Sequence, residues 1–442
     1  MFKPSQWRKI SYLLRLERKK DRGRGPRVIK HEDHSISRSD ISPNALRVLY
    51  RLSKSGYEAY LVGGGVRDML LNYHPKDFDI ATNARPHEIR KLFKNSRLIG
   101  RRFRLVHVYF PSEIIEVSTL HANAEELLKE EPLSEIQKTG ANILSEDNIY
   151  GTIEEDAWRR DFTVNALYYN ITDFSVIDFT GGMRDLHQGL IRMIGDPTQR
   201  YHEDPVRLLR AIRLAAKLDF KIHPDTEEPL KRLHNLLRHV PSARLFTEVL
   251  KIFFEGHALR SYQLLKQTHY MRTLFPEAAT ILEKTRQLFY ENLIKLALKA
   301  TDERYHNQQS LNLGFLFAIF LWPTVKELTQ QHFKKHKHLF PALYHGINTA
   351  LQRQVTILPL TRRLTVMTRS VWMLQYHLER RRHTRIYRIV QQRFFRAAFD
   401  FLELRERAGE PLTEIVYWWR TFRDGNPRQR EQLINELVRK TQ

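Results

Sequence analysis

The stretch Leu61-Val62-Gly63-Gly64-Gly65-Val66-Arg67-Asp68, followed by Asp77-Phe78-Asp79, restricts this chain more than any other feature. A short apolar run, residues 59–62, ends in three glycines, and a helical pattern over about residues 66–71 starts directly after them. Glycine lacks a Cβ, so the backbone N–H groups of such a turn can approach phosphate oxygens closely. The helix start adds a partial positive charge at the same place. No Gly-Lys-Ser/Thr follows, so the turn is not a P-loop. In residues 76–81, Phe78 and Ile80 alternate with Asp77 and Asp79, which predicts a strand with both carboxylates on one face. Two carboxylates held there repel unless cations lie between them. They are hard oxygen ligands suited to Mg²⁺, with Mn²⁺ as an alternative. Paired ions about 3.5–4 Å apart can activate an attacking hydroxyl and stabilise a leaving group. Glu116, a charge inside the apolar run Ile114-Ile115-Glu116-Val117, is the candidate third carboxylate. A solitary Asp-x-Asp pair is more often a solvated strand face. The glycine turn, with 12 residues between Gly64 and Asp77, favours the site.

Around this core the chain alternates short helical and strand patterns. Residues 43–56 read as a helix capped by Ser42 and stopped by Gly56, residues 86–93 as a second, and residues 104–110 and 113–119 as strands. Residues 121–150 are polar and aperiodic, as in a mobile loop. Residues 153–167 read as one helix, and two short strands with a turn follow at 174–182. Beyond Asp196-Pro197 the pattern is almost wholly helical. The fold class is therefore α+β. A basic, mostly disordered arm (residues 1–40) precedes a small mixed-sheet head (41–180), an all-α neck (181–255) and a helical body with the C-terminal region (256–442).

A formal net charge of +23 points to a polyanionic partner, nucleic acid or an anionic membrane surface. The longest apolar run, residues 313–322, is interrupted by Gly314 and stopped by Pro323, short of the roughly 20 residues a spanning helix needs. No stable membrane insertion is expected. Residues 1–30 hold 11 Lys/Arg without an apolar core, unlike a secretory signal, and there are no cysteines, so cytoplasmic residence is expected. Residues 362–396 contain ten arginines and one acid, interleaved with Trp372, Tyr376, Tyr387, Phe394 and Phe395. Arginine beside aromatics suits RNA through phosphate contact and base stacking, which makes Arg380, Arg381, Arg382, Arg385 and Arg388 candidates, although such aromatics also serve as core. His332, His336 and His338 have ligand-like spacing but no carboxylate close by in sequence.

The pattern apolar-Gly63-Gly64, 12 residues, Asp77-Phe78-Asp79 resembles the nucleotidyltransferase superfamily of the DNA polymerase β type. It matches the branch of bacterial poly(A) polymerases and tRNA CCA-adding enzymes. The resemblance implies that Asp77 and Asp79 bind catalytic metals and that Arg67 contacts a triphosphate. Residues 154–167 resemble the branch's second motif, in which Arg160, Asp161 and Asn165 match nucleotide-binding residues and the Asp is counted with the catalytic carboxylates. Asp161 and Asn165, four apart, are expected on one helix face. Residues 178–186 resemble a structural turn between head and neck.

Residues 200–213 resemble the fourth motif, with Asp204 capping a helix that begins at Pro205. There Asp204 and Arg207 match residues that read the incoming base, and Arg210 and Arg213 continue the basic stripe. A carboxylate accepts from the amine of adenine or cytosine, and an arginine donates to a ring acceptor, so uracil and guanine are rejected. Residues 242–248 resemble the fifth motif, with Arg244 and Glu248 one turn apart.

Residues 98–108, with Gly100, Arg101, Arg102, Phe103 and His107-Val108, resemble the poly(A) polymerase signature rather than the Gly-x-x-Phe-Gly-Thr of CCA-adding relatives. Arg101 and Arg102 join the RNA-contact candidates. Several poly(A) polymerases carry a long arginine-rich tail. Here residues 362–396 and the N-terminal arm are expected to supply that grip. The resemblance implies ATP as substrate, RNA 3′ ends as acceptor, two Mg²⁺ ions, and contact with RNA-decay machinery. A CCA-adding enzyme is the alternative, and a non-catalytic RNA-binding protein on an inactive head is a third reading.

Overall fold

The computed structural model describes residues 25–100, 105–122, 150–284 and 288–441. These form two compact units. The first comprises residues up to Arg200 together with 221–226, and the second comprises 201–220 and the chain from 227 onward.

The first unit is built on an eight-stranded mixed sheet. Its strands are β1 (Arg27–Ile29), β2 (Ala59–Val62), β3 (Asp79–Thr82), β4 (Ser96–Ile99), β5 (Leu105–Tyr109), β6 (Ile114–Thr119), β7 (Leu167–Asn170) and β8 (Val176–Asp178). The order is β1-β8-β7-β2-β3-β6-β5-β4, and β3–β6 is the parallel pair. Helix Pro43–Lys54 has the expected start, with Ser42 Oγ accepting from Ala45 N at 3.0 Å. Gly56, at φ 86°, follows its end. Ala45, Val48, Leu49 and Leu52 make one buried stripe at helical spacing, which packs on β2, β3 and β6. Phe78 and Ile80 are both buried, as their alternation predicts. The strand itself begins at Asp79, so Asp77 lies in the approach to it.

Three boundaries differ from the sequence reading. Residues 1–24 lie outside the described residues, but 25–40 pack on the head rather than forming part of a free arm. β1 pairs with β8, and Ile29, Ile36 and Ile41 are buried, so three apolar residues tie a basic segment down. The helix begun at Ile153 ends at Arg159, and Arg160 is extended. Phe162 instead bridges to Met193, and Thr163 N donates to Arg192 O at 3.0 Å. The same contacts, with Thr163 Oγ1 donating to Asp185 at 2.8 Å, keep residues 181–200 on the head, so the unit boundary falls at Arg200 rather than near 180.

The described residues of the second unit are helical. Helix Leu313–His336 runs through Pro323 rather than stopping there. The buried run from Leu316 to Val325 offsets the roughly 3 kcal/mol an internal proline costs. Trp372 and Phe395 are core, with Trp372 Nε1 donating to Ala318 O, whereas Tyr387 is exposed.

Candidate active site

The strand register sets Tyr168, Val62, Asp79, Glu116, His107 and Arg97 in one row across β7, β2, β3, β6, β5 and β4. Directly paired residues share a face, so Asp79 and Glu116 stand side by side. Burial, then the charges of Glu116 and Asp77, push the Asp79 carboxyl up from 3.8 to about 6, against the opposing pull of Arg160. A bound cation relieves repulsion of that kind. Glu116 is half-exposed, and its Oε1 lies 3.1 Å from His107 Nε2. Among the described residues no group of three or more His, Asp or Glu side chains is placed to hold a metal ion by itself. Mg²⁺ commonly takes one or two carboxylates and completes its shell with water and substrate phosphate, which fits this open set.

The glycine turn abuts these carboxylates. Gly63 has φ 78°, and a Cβ there would lie 3.5 Å from Asp79 Oδ2 and 3.8 Å from Arg160 Nη1. A side chain would therefore be strained by the backbone conformation, with its Cβ in van der Waals contact with both groups. Helix Gly64–Leu70 starts at this point. Its Arg67 is 3 % exposed, donates Nε to Asp68 Oδ1 at 2.8 Å, and donates Nη1 to Asn165 Oδ1. Asn165 Nδ2 in turn donates to Asp161 Oδ1 at 3.2 Å. Asp161 and Asn165 thus meet as expected, but through an extended residue and a 3₁₀ turn (Thr163–Asn165) rather than along one helix face.

Arg160 is anchored on the head. Its Nε donates to Tyr168 Oη at 2.8 Å, and its Nη2 donates to Asp156 Oδ2 at 2.9 Å. Tyr168 also donates to Asp156 Oδ2, at 2.7 Å. Although burial opposes its charge, the guanidinium is held more firmly protonated by Tyr168 and Asp156. Asp156 stays below the usual carboxylate range because Arg160 and the Tyr168 hydroxyl outweigh its burial. Asp178, at the start of the 178–186 turn, accepts from the backbone N–H groups of Thr180, Gly181, Gly182 and Met183 at 2.8–3.0 Å, and so caps helix Gly182–Gln188.

In the second unit the helix of the fourth motif spans Val206–Leu218, one residue later than expected. Asp204 Oδ1 accepts from Val206 N at 3.2 Å, and its Oδ2 accepts from Arg244 Nη2 at 2.7 Å. Arg207 Nη1 donates to Glu203 Oε2 at 3.1 Å. Arg213 faces Glu248 at 3.4 Å and Glu255 at 3.2 Å. The fifth motif's Arg244 and Glu248 therefore pair with the fourth motif rather than with each other. Arg210 lies on the same helix. Sequence reading missed His107 as a neighbour of Glu116, Asp156 and Tyr168 as anchors of Arg160, and Arg244 as the partner of Asp204. His107 was visible as a polar residue at alternating spacing in β5. Asp156 stands four residues before Arg160, a spacing visible in the sequence, whereas Tyr168 was hidden by the helical pattern over 153–167 and Arg244 needed a contact between distant segments.

Of the RNA-contact candidates, Arg101 and Arg102 lie outside the described residues. Arg380 sits 4.5 Å over the Tyr376 ring, Arg381 pairs with Glu414 at 3.2 Å, and Arg382, Arg385 and Arg388 are exposed. The His332 ring lies 4.3 Å from that of His336 and 4.4 Å from that of His345, whereas His338 is not in this stack.

Residues 59–192 match the family model of the poly A polymerase head domain, 219–282 that described as "probable RNA and SrmB-binding site of polymerase A", and 335–442 that of the polymerase A arginine-rich C-terminus. A solved structure titled "tRNA-processing enzyme (apo form 2)" shares the fold over 88% of this chain and 99% of that one, with TM-score 0.57 and 21% identity. The mixed sheet, its glycine turn and the head match define a nucleotidyltransferase. The curated poly(A) polymerase I of Salmonella typhi is 46% identical over 413 residues, 93% of this chain and 88% of that protein. A CCA-adding enzyme of Lactobacillus helveticus is 33% identical over 52% of this chain and 54% of its own length. The chain belongs to the poly(A) polymerase I family. The 219–282 match falls on residues that sequence reading had taken only as neck and body.

Proposed function

We propose that this nucleotidyltransferase adds AMP from ATP to RNA 3′ ends without a template and releases pyrophosphate. The observation that carries the reading is the adjacency of Asp79 and Glu116 on paired strands, beside Gly63 and Arg160. Asp77, Asp79 and Glu116 would hold two Mg²⁺ ions. Bound there, the ions would activate the RNA 3′-hydroxyl and neutralise charge on the departing pyrophosphate. The chain's own groups position and complement the nucleotide. The turn at Gly63 and Gly64 offers backbone N–H groups to phosphate. Arg67 and Arg160, fixed by Asn165, Asp156 and Tyr168, present pre-oriented positive charge, which is stabilisation that needs no reorganisation during the reaction. Asp161 orients Asn165 and is proposed to contact the nucleotide with it.

Asp204 and Arg207 are proposed to read the adenine edge. Arg244 holds the Asp204 carboxylate, and Glu203 holds the Arg207 guanidinium. Arg210 and Arg213 remain proposed nucleotide contacts, and the two carboxylates facing Arg213 support a part in fixing the helix as well. RNA is proposed to lie on Arg101 and Arg102, on the 219–282 region, and on Arg380, Arg381, Arg382, Arg385 and Arg388. Contact with RNA-decay proteins and residence in the cytoplasm belong to the same proposal. Among the described residues no helix is long and apolar enough to cross a membrane.

The test offers ATP, CTP or both with an oligo(A) primer and with a tRNA lacking CCA. Long A tails on the oligomer are expected. Addition that halts after C, C, A on tRNA would overturn the reading in favour of CCA addition. Absence of Mg²⁺-dependent pyrophosphate release would instead revive a non-catalytic role.

A further inference from the structure

A groove of about 370 Å³ lies within the second unit, between helix Arg362–Arg380 and the segment that follows it. Arg381, at φ 44°, ends that helix in the left-handed conformation, and the 3₁₀ turn His383–Arg385 and helix Ile386–Val390 come next. Leu374 and Ile389 form the floor, and both belong to the buried cluster around Trp419 and Phe399. The floor is therefore fixed and apolar. Phe394 and His377 line the walls, both half-buried. Arg385, Arg388 and Arg393 stand at the rim, exposed.

The charge of the rim is uncompensated. Nearby carboxylates are taken by other arginines: Glu414 by Arg381, and Glu379 and Glu410 by the buried Arg405. Among the described residues Arg385, Arg388 and Arg393 have no acidic partner. Burial, and the charges of Arg385 and Arg382, lower the pKa of His377, so its ring adds no charge at neutral pH. Arg393 also lies 5.3 Å over the Phe394 ring, which couples rim to wall. On the other side of His377 the aromatic surface continues. The Tyr376 ring lies 5.4 Å from it, Phe340 lies 5.1 Å from Tyr376, and Arg380 covers Tyr376.

An apolar slot of small-molecule size with three unpaired guanidinium groups at its mouth selects a flat apolar ligand bearing anionic groups. An acidic peptide satisfies the arginines but does not need the slot. A nucleotide needs both, because its base packs on aromatic and guanidinium faces and its phosphate takes bidentate hydrogen bonds. We propose that this groove is a nucleotide subsite for the RNA strand, seating one base against Phe394 and the Leu374–Ile389 floor with its phosphates on Arg385, Arg388 and Arg393. The inference rests on the reading of RNA as acceptor, and the adjoining Phe340–Tyr376 pair offers a platform for a neighbouring base. The shared chemistry is a phosphorylated nucleotide, which a free ATP also supplies, so the test separates the two.

The full chain is titrated with a short fluorescein-labelled oligoadenylate across a salt series, as wild type, R385Q/R388Q and F394L, with circular dichroism confirming the fold of each. Removing two phosphate contacts is expected to weaken binding about tenfold or more and to flatten the log–log salt slope by about 1.4. F394L keeps apolar volume but loses the ring, so it is expected to weaken binding about fivefold or more with an unaltered salt slope. Unchanged affinity and slope in R385Q/R388Q would overturn the subsite. A rise in the KM for ATP that matches or exceeds the loss in oligomer affinity would also overturn it, by making free nucleotide the ligand. A wild-type chain that binds the oligomer but never extends it with ATP would refute the polymerase reading and leave the groove standing as an RNA site.

Discussion

Replacing Asp79 with Asn tests whether the carboxylate cluster is a strained metal-binding set or an ordinary strand face. Folding takes the Asp79 carboxyl from 3.8 to about 6, chiefly through burial and the negative charge of Glu116. A folded pKa above the unfolded one means that the native state binds the extra proton, so stability falls as pH rises from about 4 through about 6 and stays reduced above that. A shift of about two units is worth roughly 3 kcal/mol at most. Residual solvent contact and the new amide's hydrogen-bonding needs reduce this, so Asp79→Asn should stabilise the metal-free protein by about 1–3 kcal/mol near pH 8. For a folding unit of about 200 residues that is roughly 2–10 °C in Tm.

The assay is thermal denaturation in chelator, from about pH 5 to 8, and again with Mg²⁺. The gap between variant and wild type should widen as pH rises through about 6. Mg²⁺ should raise the wild-type Tm at the upper end of that range and not the variant's, and A-tail synthesis by the variant should fall to background. The wild type's Mg²⁺ response should weaken as protons compete for Asp79 below about 6. Equal melting temperatures in chelator across the whole range, or near-normal tailing by the variant, would refute the reasoning.

Asp156→Ala should destabilise the head by about 1.5–3 kcal/mol, read by denaturant titration, because the half-buried Arg160 loses its carboxylate partner and keeps only Tyr168. Since Asp156 is held below its usual pKa of 3.8, its stabilisation is present above about pH 4 and fades as pH falls through its lower folded value, so acid unfolding of the variant should lose that component. Gly63→Ala introduces a Cβ at φ 78°, 3.5 Å from Asp79, and should cost about 1–2 kcal/mol of stability and slow tailing about tenfold or more, measured in parallel. Asp204→Ala should cut the preference for ATP over UTP and GTP by about 1–3 kcal/mol in competition assays. Arg244→Gln should give a smaller loss of the same kind, because it removes the group that holds the Asp204 carboxylate at 2.7 Å without removing the carboxylate itself.

The parts of the site that were legible in the sequence are those set by nearest neighbours along the chain. The alternation at Phe78 and Ile80, the Ser42 cap and the glycine turn each follow from local periodicity or from backbone that only certain residues tolerate. The parts that were not legible depend on which distant segment satisfies a backbone or a charge. Residues 153–167 carry a helical pattern, yet the chain leaves the helix at Arg160 because 192–194 offers it hydrogen bonds and Tyr168 and Asp156 offer the side chain a better seat. The extended residue leaves the Arg160 Nη1 beside the Gly63 turn, which Asp79 also abuts. The same logic applies to Arg244 and Glu248, one turn apart on one helix, which pair with Asp204 and Arg213 of the fourth motif. Local rules therefore locate the candidate carboxylates, whereas the orientation of the arginines around them is a tertiary property, and it is there that substitutions far apart in sequence should couple.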